Sequence, residues 1–207
     1  MASRAPKRRT QEERSAETRA RLIRAAIQVL GESGYAHLTI SKVTQRAGLT
    51  NGAMQHHFPS RDDLMLAVFD AVYPVLEIPF EAIAAERLGV PQRVAAVVDR
   101  LWAIYSRPEY LAIWDVALGS RGDRKLWTRL RSYQRDVATR MLNAFVALFG
   151  DLDIEPADVE QVFALTMSQM RGVALQAMFG ADSVGSSDLS LIKQVALDQL
   201  TKRARSR

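Results

Sequence analysis

Apolar residues recur at three- and four-residue spacing along nearly the whole 207-residue chain, and no stretch alternates apolar and polar residues between turn signals. A half-buried helix imposes that period and a strand cannot satisfy it, so the chain is predicted to be all-α. Caps and breakers then mark out the helices. The first starts at Thr10, where Thr10-x-x-Glu13 has the form of a capping box, or at Ser15, and runs to Ser33 before Gly34. Its Leu22, Ala26, Val29 and Leu30 form one apolar stripe. Thr39 and Thr50 are placed to cap two short helices separated by Gly48, and Ser60-x-x-Asp63 opens another from Arg61 to Tyr73. Longer helices are expected over 91–107, 108–118, 123–149, 156–179 and 187–203. None is assigned between residues 74 and 90.

Composition enters where it excludes functions. The chain has no cysteine, which removes disulfides, thiolate zinc sites and cysteine nucleophiles. The basic start runs into Thr10-Gln11-Glu12-Glu13 instead of an apolar stretch, so no secretory signal is expected. The greasiest stretch, 67–85, is broken by Asp70, Pro74, Glu77, Pro79 and Glu81, short of the ~18 apolar residues a membrane span requires. A cytoplasmic protein without a membrane partner is expected. Charge is distributed unevenly: residues 1–61 hold 11 Lys/Arg against 4 Asp/Glu, while 62–207 hold 17 against 19. That asymmetry points one end of the chain at a polyanion. Residues 1–9 are expected to be a disordered basic arm, whose Arg4, Lys7, Arg8 and Arg9 either follow phosphates or a minor groove or stay solvated.

The most informative stretch is Leu38–Leu64. Two short helices joined through a glycine turn bury little alone, so they must pack steeply on the helix before them. Ile40, Val43, Ala47 and Leu49 supply the inward side, completed by Ala53 and Phe58. Thr39, Ser41, Thr50, Asn51, Gln55 and His56 remain outward, almost without carboxylates. Short hydroxyl and amide side chains of that kind read base edges and phosphates in a major groove. His56 and His57 make a poor metal pair, since adjacent helical residues point about 100° apart, and only His37 remains as a third imidazole. No metal or cofactor is expected. Arg19, Arg21 and Arg24 read as a solvated or steering face more than as direct contacts.

Thr39, Val43, Ala47-Gly48-Leu49-Thr50, Gly52, Met54, His57-Phe58, Ser60-Arg61 and Leu64 together resemble the signature of the TetR family of bacterial transcriptional regulators. The resemblance implies a three-helix helix-turn-helix DNA-binding domain over 10–61. A helical effector-binding and dimerisation domain follows over 62–207, and the helix from Arg61 carries the signal between them. It implies a recognition helix from Asn51 to His57, with Asn51 and Gln55 as base readers. Thr39, Ser41, Thr50, His56, His57 and Arg61 would meet phosphate or a base edge, and Gly52 would allow close approach to the backbone. The chain departs from the family at Gln55, where a phosphate-gripping tyrosine is usual.

The resemblance further implies a homodimer on double-stranded operator DNA, since symmetric subunits read paired half-sites. The last two helices offer the stripes: Phe163, Met170, Val173, Ala174 and Ala177, then Ile192, Val195 and Ala196. Packing of both stripes inside one subunit is the competing reading. Trp102, Tyr105, Trp114 and Met141 are candidate contacts for an unknown small hydrophobic effector, or simply core. The expected function is a ligand-released repressor. Its alternatives are a ligand-independent DNA binder and a small helical enzyme, the latter opposed by the lack of Gly-x-Ser-x-Gly, phosphate-loop and His-Glu-x-x-His motifs.

Overall fold

A computed structural model describes residues 10–72, 74, 78–177 and 186–204. The expected arm at 1–9, and the expected helix end at 178–179, lie outside the described residues. Every regular element described is helical: α1 (Gln11–Ser33), α2 (Ile40–Ala47), α3 (Asn51–His57), α4 (Arg61–Val72), α5 (Phe80–Ala85), α6 (Val90–Tyr105), α7 (Pro108–Gly119), α8 (Arg124–Leu148), α9 (Pro156–Ala177) and α10 (Ser186–Ala204). No described helix is long and apolar enough to cross a membrane.

Local chemistry accounts for most boundaries. Thr10, not Ser15, caps α1: its hydroxyl accepts from the Glu13 amide at 3.1 Å, and Glu13 Oε2 accepts from the Thr10 amide at 2.8 Å. Thr39 and Thr50 accept from the amides of Lys42 and Ala53, each at 3.2 Å. Asp123 caps α8 by accepting from the Lys125 and Leu126 amides at 3.0 Å. Helix α5 is an addition to the sequence reading. Pro79 precedes it and Phe80 and Ile83 bury into the core, but two prolines nearby mask its short period.

Two compact units form, one from residues 1–72 with 112–126 and one from 73–111 with 127–207. The division does not follow the expected boundary after residue 61, because α4 packs on α1 and residues 112–126 join the same unit.

In the first unit, Leu22, Ala26, Val43, Met54, Phe58, Leu64 and Met65 build the core around α1. Tyr35 is a second anchor. Its ring lies under the Arg61 guanidinium at 4.1 Å, its carbonyl accepts from Arg61 Nη2 at 2.5 Å, and its amide donates to the Asp115 carboxylate. Gly119 presses so closely on that ring that a Cβ there would overlap it. Asp62 lies beside the Asp123 carboxylate. Burial, then the Asp123 charge, hold Asp62 above the usual carboxylate range, whereas the Leu126 amide holds Asp123 below it.

In the second unit, α6, α9 and α10 pack mutually and α5 lies on α6. Arg93 is its one strongly buried cation among the described residues, 9 % exposed. Its guanidinium donates to both Asp151 oxygens at 2.7 and 2.8 Å and to the Leu148 carbonyl at 2.6 Å. The fork thus closes the C-terminal end of α8, where carbonyls lack helical partners. Arg93 also holds the Asp151 carboxyl below the usual range.

The expected dimer stripes need correction here. Met170, Ala174, Ile192 and Ala196 are buried inside their own subunit, and Phe163, Val173, Ala177 and Val195 are half-buried. Four of the eight stripe residues thus pack within the subunit, and the other four keep part of their surface open. On α9 and α10 the large apolar residues left exposed are Leu165, Leu175 and Leu191, at 41, 40 and 59 %, and Leu118 on α7 is exposed as well.

Gly119→Ala is expected to destabilise the protein by about 1–3 kcal/mol in denaturant titrations, because the Tyr35 ring is held from three sides and cannot yield. Gly31→Ala, whose Cβ would meet nothing within 4 Å, is the control and is expected to be neutral or stabilising. Equal midpoints for the two variants would remove Tyr35 as an anchor.

Candidate nucleic-acid interface

Helix α3 is seven residues long and carries one fully buried side chain, Met54. Phe58, its C-cap, is also buried, so these two fasten the helix from one side. Ala53, expected to share that role, is half-buried. Arg21 Nη2 donates to the Ala47 carbonyl at 2.6 Å, tying α1 to the turn, and Gly48 adopts the left-handed φ of 62° that the turn requires. The Arg19 guanidinium lies 5.1 Å from the Phe58 ring. Two of the first-helix arginines read as a solvated or steering face, Arg19 and Arg21, are thus structural in part.

The outer surface is now defined. Thr39, Ser41, Thr50, Asn51, Gly52, Gln55 and His56 are exposed, and His57 is half-buried. No carboxylate occurs between Glu32 and Asp62. The Thr39 and Thr50 oxygens serve as caps, which leaves each hydroxyl proton free to donate outward. Gly52 meets only Thr50 Oγ1, at 3.8 Å from a built Cβ, so nothing within the fold demands a glycine there.

Two expected contacts are already engaged. Asn51 Oδ1 accepts from the Thr44 hydroxyl at 2.9 Å, which pins α3 to α2 and leaves only the Asn51 amide group to face outward. Arg61 is turned onto Tyr35, and its Nε is buried without a partner, so its guanidinium is a brace within the unit and not a side chain at the outer surface. No sequence signal distinguishes the two roles of Arg61, because the partner aromatic is 26 residues away.

Beside α3 runs an open groove of about 820 Å³ whose lining includes Arg14, Arg19, His56 and His57 with one carboxylate, Glu12. The two imidazoles meet edge to face at 5.1 Å. Burial, then His56, then Arg19 hold the His57 pKa below the usual imidazole range. Among the described residues no cluster of three metal-ligating side chains forms. Arg14 and the exposed Lys42 were not singled out in the sequence; their charge beside a capped helix start was the available signal.

The four candidate effector residues do not form one cluster of one kind. Trp114 belongs to the first unit, and Trp102, Tyr105 and Met141 to the second. Tyr105 is buried, stacks on Tyr110 at 4.1 Å and donates its hydroxyl to Met167 Sδ at 3.7 Å; Met141 is buried, and both tryptophans are half-buried.

The comparisons agree with this geometry. Residues 22–68 match the family of bacterial regulatory proteins described as the tetR family. The chain is 28% identical to the HTH-type transcriptional regulator CymR of Pseudomonas putida over 86% of this chain and 87% of that one. Among solved structures it is similar to a putative TetR-family transcriptional regulator from Mesorhizobium loti, with a TM-score of 0.73 at 17% identity over 91% of this chain and 97% of that one. It is also similar to the multidrug binding protein EbrR complexed with imidazole, with a TM-score of 0.58 at 21% identity over 96% and 97%. With a capped helix-turn-helix inside the matched segment and a helical fold shared over nine-tenths of the chain, the protein is a transcriptional regulator of the TetR family.

Proposed function

We propose that the protein is an effector-released repressor that binds a palindromic operator as a homodimer in the cytoplasm. The observation that carries this reading is the outer side of α3: polar, free of carboxylates, and bearing a glycine that no contact within the fold requires. Gln55 reads a base edge, assisted by the free amide of Asn51. Thr39, Ser41, Thr50, His56 and His57 hold phosphates, with Lys42, Arg14 and Arg19 adding charge. Arg61 acts through Tyr35 as a positioning residue. The effector domain is the second unit, a reading supported by EbrR, whose structure holds imidazole.

Dimerisation uses the exposed side of α9 and α10. Leu165, Leu175 and Leu191 form its apolar part, and Gly172, with nothing within 4 Å of a built Cβ, admits a second copy closely. Such a pair presents two α3 helices to successive major grooves, about 34–36 Å apart.

Sequences selected from random DNA are expected to be palindromes bound with a steep salt dependence. Gln55→Ala should cost about 1–3 kcal/mol and relax one base pair per half-site, whereas Lys42→Gln should weaken all sequences alike and lower the salt slope by about 1. Gly52→Ala should raise thermal stability slightly and still weaken operator binding. DNA binding without sequence preference would sink the operator reading.

Operator affinity is also expected to rise as the pH falls through the ordinary imidazole range, about 6.5. Burial, His56 and Arg19 lower the His57 pKa in the free protein and a bound phosphate raises it, so the complex takes up a proton. His57→Gln should flatten that profile, and an unchanged slope would exclude the phosphate contact. In sedimentation, Leu191→Glu is expected to yield folded monomers that bind operator weakly; an intact dimer would place the interface elsewhere.

A further inference from the structure

A groove of about 640 Å³ runs between α8 and α9, within the second unit. Phe163, Met167 and Leu142 give it an apolar floor, while Arg135 from α8 and Arg171 from α9 stand along it. That volume lies in the range of small-molecule sites, roughly 300–1,000 Å³. Glu160 is the one carboxylate on the lining.

The two arginines have no carboxylate partner among the described residues. Elsewhere in this unit arginines find one: Arg93 on Asp151, Arg100 on Glu86 and Arg203 on Asp158. Arg171 reaches instead the Tyr105 hydroxyl, a neutral group, since burial pushes that phenol far above its usual range. Arg171 is half-buried, so its charge is partly removed from water without a counter-charge to offset the loss. An isolated surface arginine is ordinarily just solvated. Two of them flanking an apolar trough are complementary to a molecule that carries one anionic group on a hydrophobic body.

We propose that the α8–α9 groove binds an amphipathic organic acid, its carboxylate held between Arg135 and Arg171 and its apolar body lying on Phe163, Met167 and Leu142. Tyr105 positions Arg171 and links the groove to the Tyr105–Tyr110 stack on α6 and the start of α7. The acid is then the effector, and that part of the inference rests on the effector-released reading given above. The charge on the ligand sets the choice: an alcohol of equal length keeps the apolar contacts but leaves both guanidiniums unpaired, and a quaternary ammonium is repelled. A second copy of the chain is the competing occupant, and it would bring no such preference for charge.

The test uses the full-length protein with octanoate and 4-phenylbutyrate as probes and octan-1-ol and octyltrimethylammonium as charge controls, followed by titration calorimetry. At least one acid is expected to bind about tenfold or more tightly than the alcohol, and the ammonium not at all. Arg135→Gln, at an exposed position with no structural partner, should weaken the acid about tenfold and leave the alcohol unchanged. Arg171→Gln should do the same, with partial recovery in Arg171→Lys. The assignment is overturned if neither acid binds, if acid and alcohol bind alike, or if Arg135→Gln leaves the acid unaffected. It is overturned equally if Ala164→Glu, at the groove's edge, dissociates the dimer while acid binding persists, since the groove then belongs to the second copy. Operator binding in the same samples separates the two readings. A protein that holds its selected DNA and ignores both acids refutes the acid site alone, whereas acid binding without DNA binding refutes the regulator.

Discussion

A helix of seven residues has no stability of its own, so whatever α3 presents to a partner depends on how α1 holds it. The hold is made from three kinds of contact. Met54 and Phe58 bury in the core that α1 organises, Arg21 clamps the carbonyl at the end of α2, and Arg19 covers the Phe58 ring. Only the last two are polar, and both come from a helix that the charge pattern alone would mark as surface. The basic character of α1 therefore serves the fold before it serves any polyanion. A short, capped, externally braced helix also loses little entropy on binding, since its backbone is already in the conformation a groove would accept.

The same economy governs Arg61 and Tyr35. Arg61 opens α4, directly after the turn that ends α3, and it spends its guanidinium on the Tyr35 ring and carbonyl. Tyr35 is in turn fixed by Asp115 and pressed by Gly119 at the end of α7. The helix-turn-helix is thus gripped from both sides of its sequence, by α1 before it and by residues 112–126 far after it. Helix α7 begins in the second unit and ends in the first. The chain thus passes between the two units at three places, after residues 72, 111 and 126, the second of them inside α7 and the third inside α8. Allosteric coupling requires two arrangements that a ligand distinguishes, and a closely packed glycine–aromatic contact is suited to having discrete positions in place of a continuum.

Most of the fold was legible in the sequence because it is written in local chemistry. Thr39, Thr50 and Gly48 announce their helices by residue type, and the structure uses them as caps and turn. Helix α5 was hidden because six residues hold too little period to outweigh Pro74 and Pro79. Among the candidate DNA contacts, exposure of Gln55, His56 and the two threonines followed from the amphipathic pattern, whereas the internal engagement of Asn51 and Arg61 did not. Those depend on partners seven and twenty-six residues away, and pairing at that range leaves no mark on periodicity. The α9 and α10 stripes illustrate a different limit of periodicity: it marks Met170, Ala174, Ile192 and Ala196 as apolar positions, but not whether they pack within the subunit or outside it, and the structure buries these four within it.

Glycines resolve that ambiguity where apolar residues cannot. Gly48 and Gly119 are demanded from within, the first by a left-handed backbone and the second by the Tyr35 ring. Gly52 and Gly172 sit inside helices at ordinary backbone angles with open space beyond them, where alanine would favour the helix by about 1 kcal/mol. A fold gains nothing by keeping glycine at such a place. Its physical advantage is to let another surface come nearer than a methyl group permits. One of the two stands on the outer side of α3, and the other stands on the exposed side of α9 near Leu165 and Leu175. Gly31 in α1 is equally open, and what sets Gly52 and Gly172 apart from it is their place, on the polar outer side of α3 and beside the exposed leucines of α9.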